Sequence, residues 1–212
     1  MNKPAGLLSV PGRGPDKADC VVARAAVYRG WIRECHRLDQ ATSGVMLLAK
    51  HPAAHRRYSR IFAAREAKKR YIAVTACIPE DPRISGVLFS GDTIVLNQRL
   101  DPDHRPMQVV DWERGKKAVT QWVVNEALSE RTAGYKVVIL RPLSGRTHQL
   151  RLAMSVCGAP ILGDSLYAPE DIKGAASRLM LHAEQLRVPR INGPGDDIDI
   201  TCSAPFLSTG EV

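Results

Sequence analysis

At 212 residues the chain can bury a hydrophobic core without metal or disulfide staples, and a single compact domain is the first expectation. Its 44% apolar and 25% charged residues are ordinary for a globular protein, which excludes wholesale disorder, collagen-like repeats and coiled coil as descriptions of the whole. Thirty basic against twenty-two acidic side chains leave a net charge of +8, and the longest aliphatic run, Val45 to Ala49, is far shorter than the roughly 20 residues of a membrane span.

The chain opens with no secretory signal between Met1 and Val10. Pro4 to Lys17 carries three Pro and three Gly and reads as an extended loop with turns, followed by a short helix over Cys20 to Tyr28. Thr42-Ser43-Gly44 then turns the chain into a buried strand, Val45 to Ala49. Pro52 to Lys68 has helical spacing, with Ala54, Tyr58, Ile61 and Phe62 on one side and Arg56, Arg57 and Arg60 elsewhere, so three guanidinium groups face solvent. Strands follow at Arg70 to Ile78, Thr93 to Leu96, Ala118 to Val124, Tyr135 to Leu140, Met180 to Val188 and Ile198 to Cys202. A second good helix spans His148 to Val156, with Gly158 placed to end it. Strands outnumber helices without regular alternation, so the expected fold class is α+β with a mixed, largely antiparallel sheet.

Charge is unevenly spread. Met1 to Thr75 holds fifteen Lys/Arg and five Asp/Glu, a net +10, while the remainder is slightly acidic. Such asymmetry is expected of a face that binds a polyanion, although a charge-rich segment is also commonly just solvated surface. Five cysteines, at 20, 35, 77, 157 and 202, include no C-x-x-C pair, which fits free thiols in a cytoplasmic protein. The six histidines form no metal-ligand pattern beyond an isolated His51/His55 pair, and no phosphate-loop or dinucleotide-binding glycine motif is present.

Three segments could carry chemistry. In His36-Arg37-Leu38-Asp39-Gln40-Ala41-Thr42-Ser43-Gly44, a loop aspartate at the mouth of a buried strand can act as nucleophile or general base, or can merely satisfy turn amides. In Leu143-Ser144-Gly145-Arg146-Thr147-His148-Gln149-Leu150-Arg151, a turn runs into a helix whose start projects Arg146, His148 and Arg151, which either converge on an anion or are solvated. In Lys68-Lys69-Arg70-Tyr71, a tyrosine follows three cations and can stack a base or pack in the core. A hydrolase built on Ser43 or Ser144 lacks the G-x-S-x-G elbow.

These segments resemble the RluA-type pseudouridine synthases in identity and order. So do Pro160-Ile161-Leu162-Gly163-Asp164-Ser165-Leu166-Tyr167 and Leu179-Met180-Leu181-His182-Ala183. The opening Asn2-Lys3-Pro4-Ala5-Gly6-Leu7-Leu8-Ser9-Val10-Pro11-Gly12-Arg13 is similar to the branch that modifies both ribosomal and transfer RNA. The resemblance implies the pseudouridine synthase fold in one catalytic domain over residues 1–212, without the strand that precedes Asn2 in relatives and without an S4-like domain. It implies isomerisation of uridine in RNA with no cofactor and no metal, by a protein expected to be a monomer. It assigns Asp39 as nucleophile or base, Tyr71 as the ring on the uracil, Arg151 as the partner of the aspartate, and Leu181 as pocket lining. The target uridine must then be flipped out, with Arg37 bracing the vacated space. Arg146 and His148 are further substrate contacts, and Arg56, Arg57, Arg60, Lys68 and Lys69 would meet phosphates.

Overall fold

Why these residues form these elements is visible in a computed structural model of the chain, which describes residues 1–190 and 195–208. In order, the elements are β1 (Asn2–Lys3), α1 (Val21–Arg29), β2 (Arg33–Glu34), β3 (Ser43–Val45), β4 (Leu48–Ala49), α2 (Pro52–Ala63), β5 (Lys68–Thr75) and β6 (Val87–Ser90). There follow β7 (Thr93–Leu100), β8 (Gln108–Val110), β9 (Lys116–Val124), α3 (Glu126–Ser129), β10 (Lys136–Pro142), α4 (Gln149–Val156), α5 (Glu170–Gly174), β11 (Leu181–Val188) and β12 (Ile198–Thr201). The fold is α+β. Its contacts divide it into two compact units, Met1–Lys69 with His182–Ala204 and Arg70–Leu181 with Pro205–Val212.

In the first unit, β1 pairs antiparallel with β3, β3 runs parallel to β11, and β12 returns antiparallel along β11. The approach of β3 to β11 demands glycine at position 44. Gly44 has φ of 119°, and a Cβ there would lie 2.2 Å from the carbonyl oxygen of Ala183. The strand expected over Val45 to Ala49 is in fact broken. Met46 exchanges backbone hydrogen bonds with Met1, Leu47 turns to residues 35 and 36, and only then does β4 pair with β2. Helix α2 is shorter than its periodicity suggests. Arg65 adopts φ of 64°, and the Glu66 and Arg65 amides donate to Ile61 and Phe62, a Schellman ending without the usual glycine. The apolar stripe of α2, through Ile61, Tyr58 and Phe62, packs with Val45, Leu186 and Val188.

In the second unit the sheet order is β5-β10-β9-β7-β6, all antiparallel, with β8 on β7. Along β7 burial alternates, with Ile94, Leu96 and Gln98 inward, so one face of this part is covered. Ile72 to Thr75 of β5 are buried without alternation, as expected where both faces are covered. Helix α4, buried from Gln149 to Met154, packs on β7, β9 and β10. The β6–β7 hairpin, closed by Gly91 and Asp92, was not anticipated from sequence, although Gly-Asp between two β-rich runs is a hairpin signal. Short β8 carries no comparable signal. Among the described residues no helix is long and apolar enough to cross a membrane.

Two glycine substitutions separate conformational strain from overlap. Gly44→Ala is expected to cost at least about 3 kcal/mol, since positive φ and backbone collision act together. Gly158→Ala, with φ of 71° and open space around the new methyl, is expected to cost only about 1–2 kcal/mol. Urea unfolding midpoints of the two variants provide the comparison.

Candidate active site

The loop carrying Asp39 is fixed by residues at the start of the chain. Lys3 is fully buried, and a buried ammonium is tolerated only where its protons meet acceptors. Its Nζ donates to the carbonyls of Pro4 at 2.9 Å, Leu7 at 2.7 Å and Gln40 at 2.9 Å, matching the three donors of an ammonium. The Gly6 amide also donates to the Gln40 carbonyl, and the Gln40 side chain donates back to Gly6. On the other side of Asp39, the buried Ser9 hydroxyl donates to the Leu38 carbonyl at 2.7 Å and accepts from the Leu38 amide at 3.1 Å. The Thr42 amide closes the turn on the Asp39 carbonyl. Both peptide neighbours of Asp39 are therefore clamped, while its own carboxylate is half-buried and meets no hydrogen-bond or ion-pair partner among the described residues of its unit. That is the state a nucleophile or base requires: held in place and chemically unspent.

His36, three residues before Asp39, is a structural group. Its Nε2 accepts from the Leu47 amide at 3.0 Å, and its ring stacks on Phe62 with centroids 4.3 Å apart. Burial, with Lys69 and the N-terminal amine adding repulsion, pushes its pKa down to about 3. The imidazole is neutral at physiological pH, consistent with an accepting Nε2.

Ser43 and His182 do meet, as a hydrolase would need, with Oγ 2.8 Å from Nδ1. Their setting is different. His182 Nε2 lies 2.9 Å from the Cys202 carbonyl oxygen and so donates its proton there, which leaves Nδ1 to accept from Ser43. With Ser43 2% and His182 0% exposed, the pair ties β3 to β11 and the chain beyond β12, and offers an ester no approach.

The basic residues of this unit lie mainly outside. Arg37, Arg56, Arg57, Arg60 and Lys68 are exposed. Lys69 is half-buried, and burial together with Arg65 pulls its pKa down to about 8.

In the second unit Tyr71 is half-buried on β5, opposite Leu140 of β10. Arg151, 3% exposed, forms a bidentate pair with the buried Asp164: Nε to Oδ2 at 2.8 Å and Nη2 to Oδ1 at 2.5 Å. Asp164 also accepts from the Leu166 and Tyr167 amides, and the Arg151 guanidinium lies over the Tyr167 ring, 5.2 Å from its centroid. The arginine is thus oriented by a carboxylate that sequence reading quoted without assigning it a task.

The loop before α4 is organised by Gln149. Its Oε1 accepts from the Ser144 hydroxyl and the Arg146 amide, and its Nε2 donates to the Val119 carbonyl and the Thr120 hydroxyl on β9. His148 is buried at φ of 54°, its Nδ1 2.9 Å from the Tyr167 hydroxyl, which also receives the Gln108 amide. Arg146 donates Nε to the Lys117 carbonyl. The expected projection of Arg146, His148 and Arg151 from the helix start is corrected here: His148 and Arg151 are buried, and only Arg146 reaches the surface. Leu181, at the start of β11, is buried. Among the described residues no group of three or more His, Cys, Asp or Glu is placed to hold a metal.

The His36 environment has a measurable consequence. A histidine whose folded pKa lies below its unfolded value of about 6.5 stabilises the fold fully above that value, and loses this as pH falls toward the folded pKa near 3. Unfolding free energy of the natural protein should therefore drop faster than that of His36→Gln between pH 6 and pH 4, the difference growing by up to about 1.4 kcal/mol per pH unit. Parallel curves from urea titrations would show that the ring is solvated.

Comparison with known proteins gives the family. The family model described as RNA pseudouridylate synthase matches residues 1–156. The "Dual-specificity RNA pseudouridine synthase RluA" of Yersinia pestis is 42% identical over 97% of this chain and 94% of its own length. Its namesake from Escherichia coli (strain K12) is 42% identical over 89% of this chain and 81% of its own. Among solved structures, Human RNA Pseudouridylate Synthase Domain Containing 1 superposes with a TM-score of 0.70 at 26% identity, covering 98% of this chain and 80% of that one. Human RNA Pseudouridylate Synthase Domain Containing 4 gives 0.66 at 26% identity, over 98% and 85%. The chain with the clamped Asp39 loop belongs to the RluA-type RNA pseudouridine synthases.

Proposed function

We propose that the protein converts particular uridines of structured RNA, in large-subunit ribosomal RNA, transfer RNA or both, to pseudouridine, with Asp39 as the reacting carboxylate. The observation that carries this reading is the Asp39 loop, in which Leu38 and Gln40 are pinned by Ser9 and Lys3 while the carboxylate is left without a partner in its unit. In the reaction the bond from ribose C1′ to N1 breaks, the uracil turns, C1′ joins C5, the C5 proton departs and N1 gains one. No electrons are exchanged with a cofactor, so positioned acid–base and nucleophilic groups suffice. Asp39 attacks C1′ or removes the 2′ proton.

Tyr71 supplies a ring for the detached uracil and a hydroxyl for the C5 proton. Arg151, its guanidinium oriented by Asp164, is assigned as the cation that partners the reacting carboxylate. Leu181 contributes apolar lining. The target nucleotide leaves its stack at a cost of about a few kcal/mol, with Arg37 bracing the space it vacates. The exposed Arg56, Arg57, Arg60 and Lys68, with Lys69, meet the phosphate backbone and supply affinity that falls with salt. Arg146 and His148 complete the substrate contacts, Arg146 directly and the buried His148 through the Tyr167 hydroxyl. The protein acts as a monomer.

Tritium release from RNA labelled at uridine C5 tests the assignment. Asp39→Asn should abolish release while RNA affinity stays within about twofold, and near-normal turnover would remove Asp39 from the chemistry. Tyr71→Phe keeps the ring and loses the hydroxyl, so rate should fall far more than binding. Ser9→Ala frees one neighbour of Asp39. It should lower kcat on the order of tenfold with KM little changed, and cost about 1–3 kcal/mol of stability through the two unmet Leu38 backbone groups. An effect on KM alone would contradict the positioning role of Ser9.

A further inference from the structure

Helix α1 buries Val21, Val22 and Ala25 against Cys20 and Ile32, yet its last turn turns apolar side chains to water. Val27 is 80% and Tyr28 84% exposed. Three residues past Tyr28, across the Gly30 cap, Trp31 is 39% exposed, with the Arg33 guanidinium 5.7 Å from its ring centroid and His55 meeting it edge-on at 6.2 Å. Arg29, next to Tyr28 in sequence, and Arg33 are exposed. An aromatic left largely in water, as Tyr28 is, forfeits the burial its surface would otherwise gain, and no hydrogen bond of the Asp39 loop uses these rings.

We infer that Tyr28 and Trp31, flanked by Arg29 and Arg33, form a stacking platform for unpaired bases of the substrate RNA. Two features select this occupant. Planar rings beside guanidinium groups match a nucleotide, whose base offers a π-face and whose phosphate offers charge. The platform also lies in the stretch Met1 to Thr75, whose net charge of +10 complements a polyanion and would repel a basic protein partner. The inference rests on the proposed RNA substrate, and it adds that single strand, not helix, is read at this place. An A-form duplex keeps its base faces stacked internally, so it cannot engage the rings.

The test uses the full chain with a fluorescein-labelled 12-nucleotide uridine/adenosine RNA, either single-stranded or annealed to its complement, followed by anisotropy at 0.1 M and 0.4 M KCl. Tyr28→Ala should weaken single-strand binding about tenfold, Tyr28→Ala with Trp31→Ala further, and Tyr28→Phe not at all. Duplex binding should be unmoved. The loss should be the same factor at both salt concentrations, because stacking, unlike phosphate neutralisation, releases no counterions. Tyr28 is exposed enough that its truncation leaves the fold intact, which circular dichroism verifies. Unchanged single-strand affinity in Tyr28→Ala, or an equal loss on duplex, overturns the platform. So does self-association of the natural protein that Tyr28→Ala abolishes while RNA affinity stays fixed, which would make this a protein interface. Ring-dependent binding by a protein that releases no tritium would overturn the proposed reaction alone, and tritium release without ring-dependent binding would overturn the platform alone.

Discussion

One buried charge organises the reactive region. An ammonium cannot leave water without replacing its hydration, and Lys3 does so with three main-chain carbonyls that belong to two segments far apart in sequence. Satisfying that cation draws Pro4, Leu7 and Gln40 to a single point. Because the acceptors are backbone atoms, the constraint falls on chain path and leaves the side chains free for other work. Ser9 applies the same logic with a hydroxyl that both gives and receives at Leu38. Asp39 inherits its position from its neighbours, and its own oxygens are not spent on holding the loop. The arrangement on the other unit is built differently, with a carboxylate, Asp164, orienting the guanidinium of Arg151 directly.

Histidines here serve architecture. His36 receives an amide proton while its ring is stacked, and His182 links a hydroxyl on β3 to a carbonyl beyond β12. His36 ties the link between β3 and β4 to helix α2 as a neutral imidazole, and His182 ties β3 to the chain beyond β12.

Local pattern carried much of the architecture. The apolar side of α2 follows from periodicity, because burial of one face repeats along the helix, while β9, β10 and α4 fall where apolar and β-rich or helix-forming runs occur. The errors arose where a distant partner decides. The run Val45 to Ala49 looks like one strand, but Met46 is committed to Met1 and Leu47 to His36, a division invisible to any window of sequence. The stop at Ala63 depends on Arg65 taking a conformation usually left to glycine. For the candidate site, the motifs singled out Asp39, Tyr71 and Arg151, residues whose types are informative in themselves. Lys3, Ser9, Gln149 and Asp164 escaped assignment because a lysine, a serine or an amide gains its meaning only from what it touches. Asp164 nevertheless sat in a quoted motif, and a buried-charge argument applied to Arg151 would have required such a partner.

The division into units also bears on synthesis. Residues 70 to 181 run without interruption, so nearly all of the second unit can collapse once its own stretch has emerged from the ribosome. The unit carrying Asp39 is assembled from two separated pieces, and its parallel β3–β11 pairing requires residues 182 and 183. Closing so long a loop is entropically slow, which places maturation of the Asp39 loop among the last events in the life of the nascent chain.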